Sequence, residues 1–81
     1  MTTEEVYVYL EDEGLDVWRP IRAVRVDAQS YVLLRPDDYD PDNEKWQFPP
    51  GSLVACERRQ TRDGEIFAAV RRVNVPTSKS A

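Results

Sequence analysis

Histidine is absent from this chain and cysteine occurs once, at Cys56. Imidazole bases, histidine-ligated metals and an intrachain disulfide are therefore excluded. The chemistry left to it rests on carboxylates, arginines, aromatic rings and one thiol. Cys56 follows the apolar run Leu53-Val54-Ala55. That setting predicts a buried, inert thiol, because a reactive thiolate needs an accessible cationic environment. Arg58 and Arg59 lie close enough in sequence to keep the reactive alternative in view. Asp38, Asp40, Asp42 and Glu44 alternate along one stretch, as the first ligands of a calcium loop do. The remainder of that pattern fails: Asn43 stands where the loop needs glycine, and Pro49 where it needs a bidentate glutamate. A solvated acidic loop is the reading that survives. Asp37 beside Asp38 would do acid–base work only if burial or crowding tuned their pKa values, and an exposed loop supplies neither. The chain is expected to be no enzyme and to carry no metal or cofactor.

Recognition chemistry is better represented. Trp18-Arg19 lies at a loop-to-strand junction, and both residue types are enriched in binding hot spots. Tyr7, Tyr9, Tyr39 and Trp46 flank the acidic stretches, where a patch of Tyr7, Tyr9 and Trp46 would suit a cation, a methylated amine or a proline-rich peptide. The competing role for both tryptophans is packing, since a core this small needs their bulk. On the basic side, Arg22, Arg25, Arg58, Arg71 and Arg72 offer an alternative face for phosphates.

Size and charge bound these options. Eighty-one residues with a net charge of −4 and a pI near 4.7 make one small domain without a general cationic footprint. Nucleic acid is accordingly an unfavoured partner. No run approaches the length of a membrane span and no apolar leader opens the chain, so a cytoplasmic protein without membrane contact is expected. The domain is expected over residues 1–75, with 76–81 as a flexible polar tail.

The elements that must position these groups read as strands. Val6-Tyr7-Val8-Tyr9-Leu10 alternates aliphatic and aromatic residues, predicting a strand over about 4–11. A second strand spans 17–26, where mixed parity suggests a bulge near Pro20. Asp27 to Ser30 turns the chain into a third strand at 31–35. Residues 36–44 form a long exposed loop. Trp46-Gln47-Phe48-Pro49-Pro50-Gly51 then reads as a strand end, a rigid corner and a release into a fourth strand at 53–59. Arg62-Asp63-Gly64 is a hairpin turn. Residues 65–73 fit a fifth strand, with a short helix as the alternative that would make the fold α+β. The sum is a mainly β protein, a five-stranded Src-homology-3-like (SH3-like) barrel or half-open roll, with loops 11–16 and 36–44 flanking one side.

Asp16-Val17-Trp18-Arg19-Pro20, followed by Trp46-Gln47-Phe48-Pro49-Pro50-Gly51 and Val54-Ala55-Cys56-Glu57, resembles a group of small uncharacterised bacterial β-barrel proteins. The likeness covers most of residues 5–57. It implies a bacterial or phage-related cytoplasmic β domain and brings no activity or site residue with it. The functional expectation is a non-enzymatic binding or adaptor domain. Its partner would be a protein or peptide, met through Tyr7, Tyr9, Trp18, Arg19, Tyr39 and Trp46 beside the acidic loops, or through an exposed edge strand. Edge pairing would also permit a homodimer.

Overall fold

A computed structural model describes residues 3–11, 13–14, 17–62 and 64–73. Five strands, β1 (Thr3–Tyr9), β2 (Trp18–Arg25), β3 (Ser30–Leu33), β4 (Leu53–Thr61) and β5 (Gly64–Arg72), follow one another in space as they do in sequence. Consecutive strands pair antiparallel, and β5 returns parallel to β1 to close the barrel. The architecture is consistent with an SH3-like barrel. No helix occurs among the described residues, so none is long and apolar enough to cross a membrane.

Alternation decides which side of each strand is inside. Val6 and Val8 of β1 are fully buried and face Ile21 and Arg19 of β2 across the ladder, while Tyr7 and Tyr9 face Pro20 and Trp18 on the outer surface. Leu33, Val54, Cys56 and Ala69 complete the core, with Tyr31, Trp46 and Phe48 filling its ends.

The β1–β2 register runs unbroken through Tyr7 and Pro20, so the bulge expected near Pro20 is absent. The mixed parity of β2 has another cause. Trp18 lies on the outer face beside Tyr9, and Val26 falls beyond the strand end, half exposed. The irregularity sits instead in β4, between Ala55 and Cys56, and lets consecutive residues Val54, Ala55 and Cys56 all be buried.

Residues 64–72 form a strand, and the helical alternative fails. Its apparent helical spacing arises because Ala68 and Ala69 are buried on opposite faces of the same strand. Thr61 and Gly64 pair across the turn, with Gly64 at φ 122°. Asp63 of that turn and the expected tail at 76–81 lie outside the described residues.

The aromatic–proline corner does two things at once. Trp46 bridges Leu10, and Gln47 donates a backbone bond of 2.8 Å to Tyr9, extending the β1 ladder past its end. Then Pro49 to Ser52 turns the chain, with Pro50 and Gly51 (φ 90°) at the central positions and Ser52 N–H on the Pro49 carbonyl at 3.1 Å. Proline followed by positive-φ glycine is the type II arrangement. Ser52 Oγ–H donates to the same carbonyl at 2.6 Å.

Candidate functional site: a locked barrel end and an open seam

Arg19 occupies an inward position of β2, one step beyond Ile21, at the end of the barrel where the acidic loop returns. A guanidinium there, with its side chain 22% exposed, needs carboxylate partners to offset its desolvation. Glu44 accepts from Nη1 through both oxygens, at 2.6 and 2.7 Å, and Asp38 accepts from Nη2 at 2.6 Å. The Trp46 indole N–H also donates to Glu44 Oε1 at 2.7 Å. The Arg19 guanidinium lies 5.9 Å from the Trp46 ring centroid, and Tyr39 meets that ring edge-on at 5.0 Å. Arg35 in turn covers Tyr39 at 5.8 Å.

The loop that delivers Asp38 and Glu44 is shaped by its own acid. Asp40 accepts from the Asp42 backbone N–H at 3.0 Å and from the Asn43 side-chain amide at 2.6 Å, while its carbonyl accepts from the N–H groups of Asn43 and Glu44. Its oxygens are thus occupied by the turn. Among the described residues no group of acids and thiols is placed to hold a metal ion.

The charges at this end are held ionised. Hydrogen bonds from Arg19 lower the Asp38 carboxyl. Burial alone would raise Glu44, but bonds from Trp46 and Arg19 outweigh it and leave that carboxyl lowered as well. The bond to Glu44 raises Arg19 against the opposing effect of its burial. Neither acid is poised to exchange a proton near neutrality. The arrangement is a closed network that fixes the loop.

Of the six residues nominated from sequence, Arg19, Tyr39 and Trp46 belong to this network. Tyr7, Tyr9 and Trp18 lie together on the outer face of β1 and β2, with Tyr9 and Trp18 in edge contact at 5.2 Å. The expected patch of Tyr7, Tyr9 and Trp46 does not form, because Trp46 points inward and is 5% exposed. Tyr9 donates its hydroxyl to the Gly14 carbonyl at 3.3 Å, and the Trp18 indole N–H has no partner among the described residues. Glu44 and Asp38 entered the sequence reading only as acids of the failed calcium pattern and not as the partners of Arg19. The signal for that pairing was an arginine in the phase of Val6 and Val8, which obliges some loop acid to follow it inward.

The opposite side of the barrel is built differently. The register joins β1 to β5 only at Tyr7 and Ala68. Toward the starts of both strands the pairing stops, and a cleft of about 480 Å³ opens there, lined by Glu4, Glu5, Arg58, Glu65, Ile66 and Phe67. Glu4 shares the inward phase of Val6 and Val8; its carboxylate accepts from the Tyr31 hydroxyl at a long 3.5 Å. Phe67 packs edge-on against Tyr31 at 5.5 Å. Beneath them, burial and the nearby Glu4 push the Cys56 thiol up to about 11. Arg58 reaches Glu65 at 3.4 Å across the exposed rim.

The arginines nominated as an alternative face are dispersed. Arg25, Tyr31, Val54 and Arg72 form one cross-strand row, whereas Arg58 faces Phe67 nearer the other end of β5 and Arg22 stands opposite Glu5. No protein family, curated protein or solved structure gives a match to the chain.

Proposed function

We propose that this protein is a non-enzymatic binding domain that takes a protein or peptide partner as an added strand at the β1–β5 seam. The observation that carries this reading is the single registered pair between β1 and β5, against three at each of the β2–β3 and β3–β4 seams and more at the other two. Where the ladder stops, Thr3 to Val6 and Gly64 to Phe67 each keep one strand edge free of pairing among the described residues. Such edges recruit an extended segment through main-chain hydrogen bonds, with side chains entering alternate pockets.

The aromatic route of recognition has less to offer. Trp46 is buried, Tyr39 lies between Trp46 and Arg35, and Arg19 spends its donors on Glu44 and Asp38. The acidic loop therefore serves as a fixed wall of the fold.

Selection of binders from a library of displayed extended peptides, followed by mapping of amide shifts on the labelled protein, tests the proposal. Shifts centred on residues 3–6 and 64–67 are expected. Shifts confined to Tyr7, Tyr9, Trp18 and the loop from Arg35 to Tyr39 would move the site to the aromatic side and overturn it.

A further inference from the structure

Resting on the strand-addition reading, we infer that the seam is selective for a cationic segment: an arginine or lysine of the added strand enters the barrel mouth and pairs with Glu4. The two ends of the barrel make the case by contrast. Each sets an ionisable group in the inward phase, Arg19 on β2 and Glu4 on β1. Arg19 is met by two carboxylates. Glu4 is partly buried yet has only the distant Tyr31 hydroxyl, and among the described residues no guanidinium or ammonium reaches it. A carboxylate held part-way out of water without a counter-charge favours a cation that brings its own hydrogen-bond donors.

The surroundings fit the same occupant. Phe67, backed edge-on by the buried Tyr31, presents aromatic surface beside Glu4, which suits the stem and head of a long basic side chain. Glu5 and Glu65 add negative charge at the rim; of the lining residues only Arg58 carries a guanidinium, already turned toward Glu65, and Arg25, in the row of Tyr31, donates to the Asp27 carbonyl at 3.2 Å. Alternation along an added strand sends every second side chain inward, so one basic residue can reach Glu4 while its neighbours face solvent. A second copy of this chain is a poor occupant in a two-fold arrangement, because that would set one acidic seam against another.

Three heptapeptides of alternating threonine and valine test the inference, with arginine, its neutral isostere citrulline, or glutamate at the centre. Each is titrated into the full-length labelled protein, and into Glu4→Gln and Glu5→Gln variants, with folding checked by amide dispersion. The arginine peptide is expected to bind roughly tenfold tighter than the citrulline peptide, equivalent to about 1.4 kcal/mol. The glutamate peptide is expected to bind most weakly. Shifts should fall on Glu4, Ile66 and Phe67. The arginine preference should vanish in Glu4→Gln and persist in Glu5→Gln. Equal binding of the arginine and citrulline peptides with shifts at the seam would overturn the cationic selectivity and leave strand addition standing. An arginine preference that survives Glu4→Gln, or maps to Asp37 and Asp38, would also overturn it. If no peptide shifts the seam amides, strand addition itself is refuted and the inference falls with it.

Discussion

The end of the barrel at Arg19 and the seam at Glu4 begin from the same structural problem and resolve it in opposite ways. Both place a charge in the inward phase of a strand, next to valines that are fully buried. At Arg19 the chain folds a loop back over the charge, using Glu44 and Asp38 to meet it within 2.6–2.7 Å and the Trp46 indole N–H to hold Glu44 in place at 2.7 Å. At Glu4 the chain supplies a tyrosine hydroxyl at 3.5 Å and pairs the neighbouring strands β1 and β5 at one position only. A charge answered internally is a structural element, whereas one left unanswered beside open strand edges is where the proposed partner would bind. The same residue types thus take different roles according to what the topology brings to them.

The contrast predicts a gradient of effects. Trp46→Ala should have the largest, since it removes a buried ring and the donor that steadies Glu44. A loss of about 3–5 kcal/mol is expected, enough to unfold much of a domain this small, and a denaturant titration would show it. Retention of a cooperative transition near the wild-type midpoint would mean that Trp46 is not part of the lock. Glu44→Ala should cost about 2 kcal/mol, because it strands a partly buried guanidinium and an indole N–H. Asp38→Ala should matter far less, as that carboxylate is 78% exposed and contributes one surface bond. Similar losses from both substitutions would erase the distinction between the buried and exposed halves of the network.

Acid should weaken the locked end selectively. The Glu44 and Asp38 carboxyls are lowered in the folded protein from ordinary values of 4.5 and 3.8. Their contribution is therefore fully present above those unfolded values and is lost as pH falls through the folded ones. The melting temperature of the wild type should drop more steeply below about pH 4.5 than that of Glu44→Gln, which has no such carboxyl to protonate. Parallel pH profiles would contradict the assignment. A smaller effect concerns Cys56, whose thiol is buried and pushed up to about 11. Alkylation at neutral pH should proceed only through opening of the fold and accelerate with added denaturant; rapid labelling of the folded protein would show that the floor of the seam is accessible. Smallest of all, Glu4→Gln should leave the melting temperature unchanged, in keeping with a charge that has no strong internal partner.

Much of the fold was legible in local pattern. Alternation in Val6 to Leu10, the Asp27 turn and the proline–glycine corner each act over a few residues, and each yielded an element close to the one found. Trp46 and Phe48, one residue apart, indeed share a buried face. Segment 65–73 was readable as a strand because an Asp-Gly turn precedes it, although burial of both Ala68 and Ala69 blurred its period. No bulge is needed near Pro20, because Trp18 lies on the outer face beside Tyr9 and so belongs to a different phase from the buried Ile21 and Ala23.

The candidate site was less legible, since it depends on what distant segments do to one another. Pairing Arg19 with Glu44 requires the loop to close across the barrel end, and no local spacing specifies that closure. The inward phase of Glu4, by contrast, follows directly from Val6 and Val8 once they are set in the core. That its counter-charge is missing could be learned only from the β1–β5 register, a contact between the two termini of the barrel.

The central claim, that the seam carries free strand edges while the opposite end is locked, is tested most directly by amide hydrogen exchange on the unliganded protein. The account predicts that alternate amides of Thr3 to Val6 and Gly64 to Phe67, those directed away from β2 and β4, exchange at nearly unprotected rates. The amides of Leu10, Glu11 and Gln47, bonded at 2.8–2.9 Å around the Trp46 corner, should exchange only on global unfolding. Equal protection of the two sets would show a fully laddered barrel without an acceptor edge, and would contradict the account.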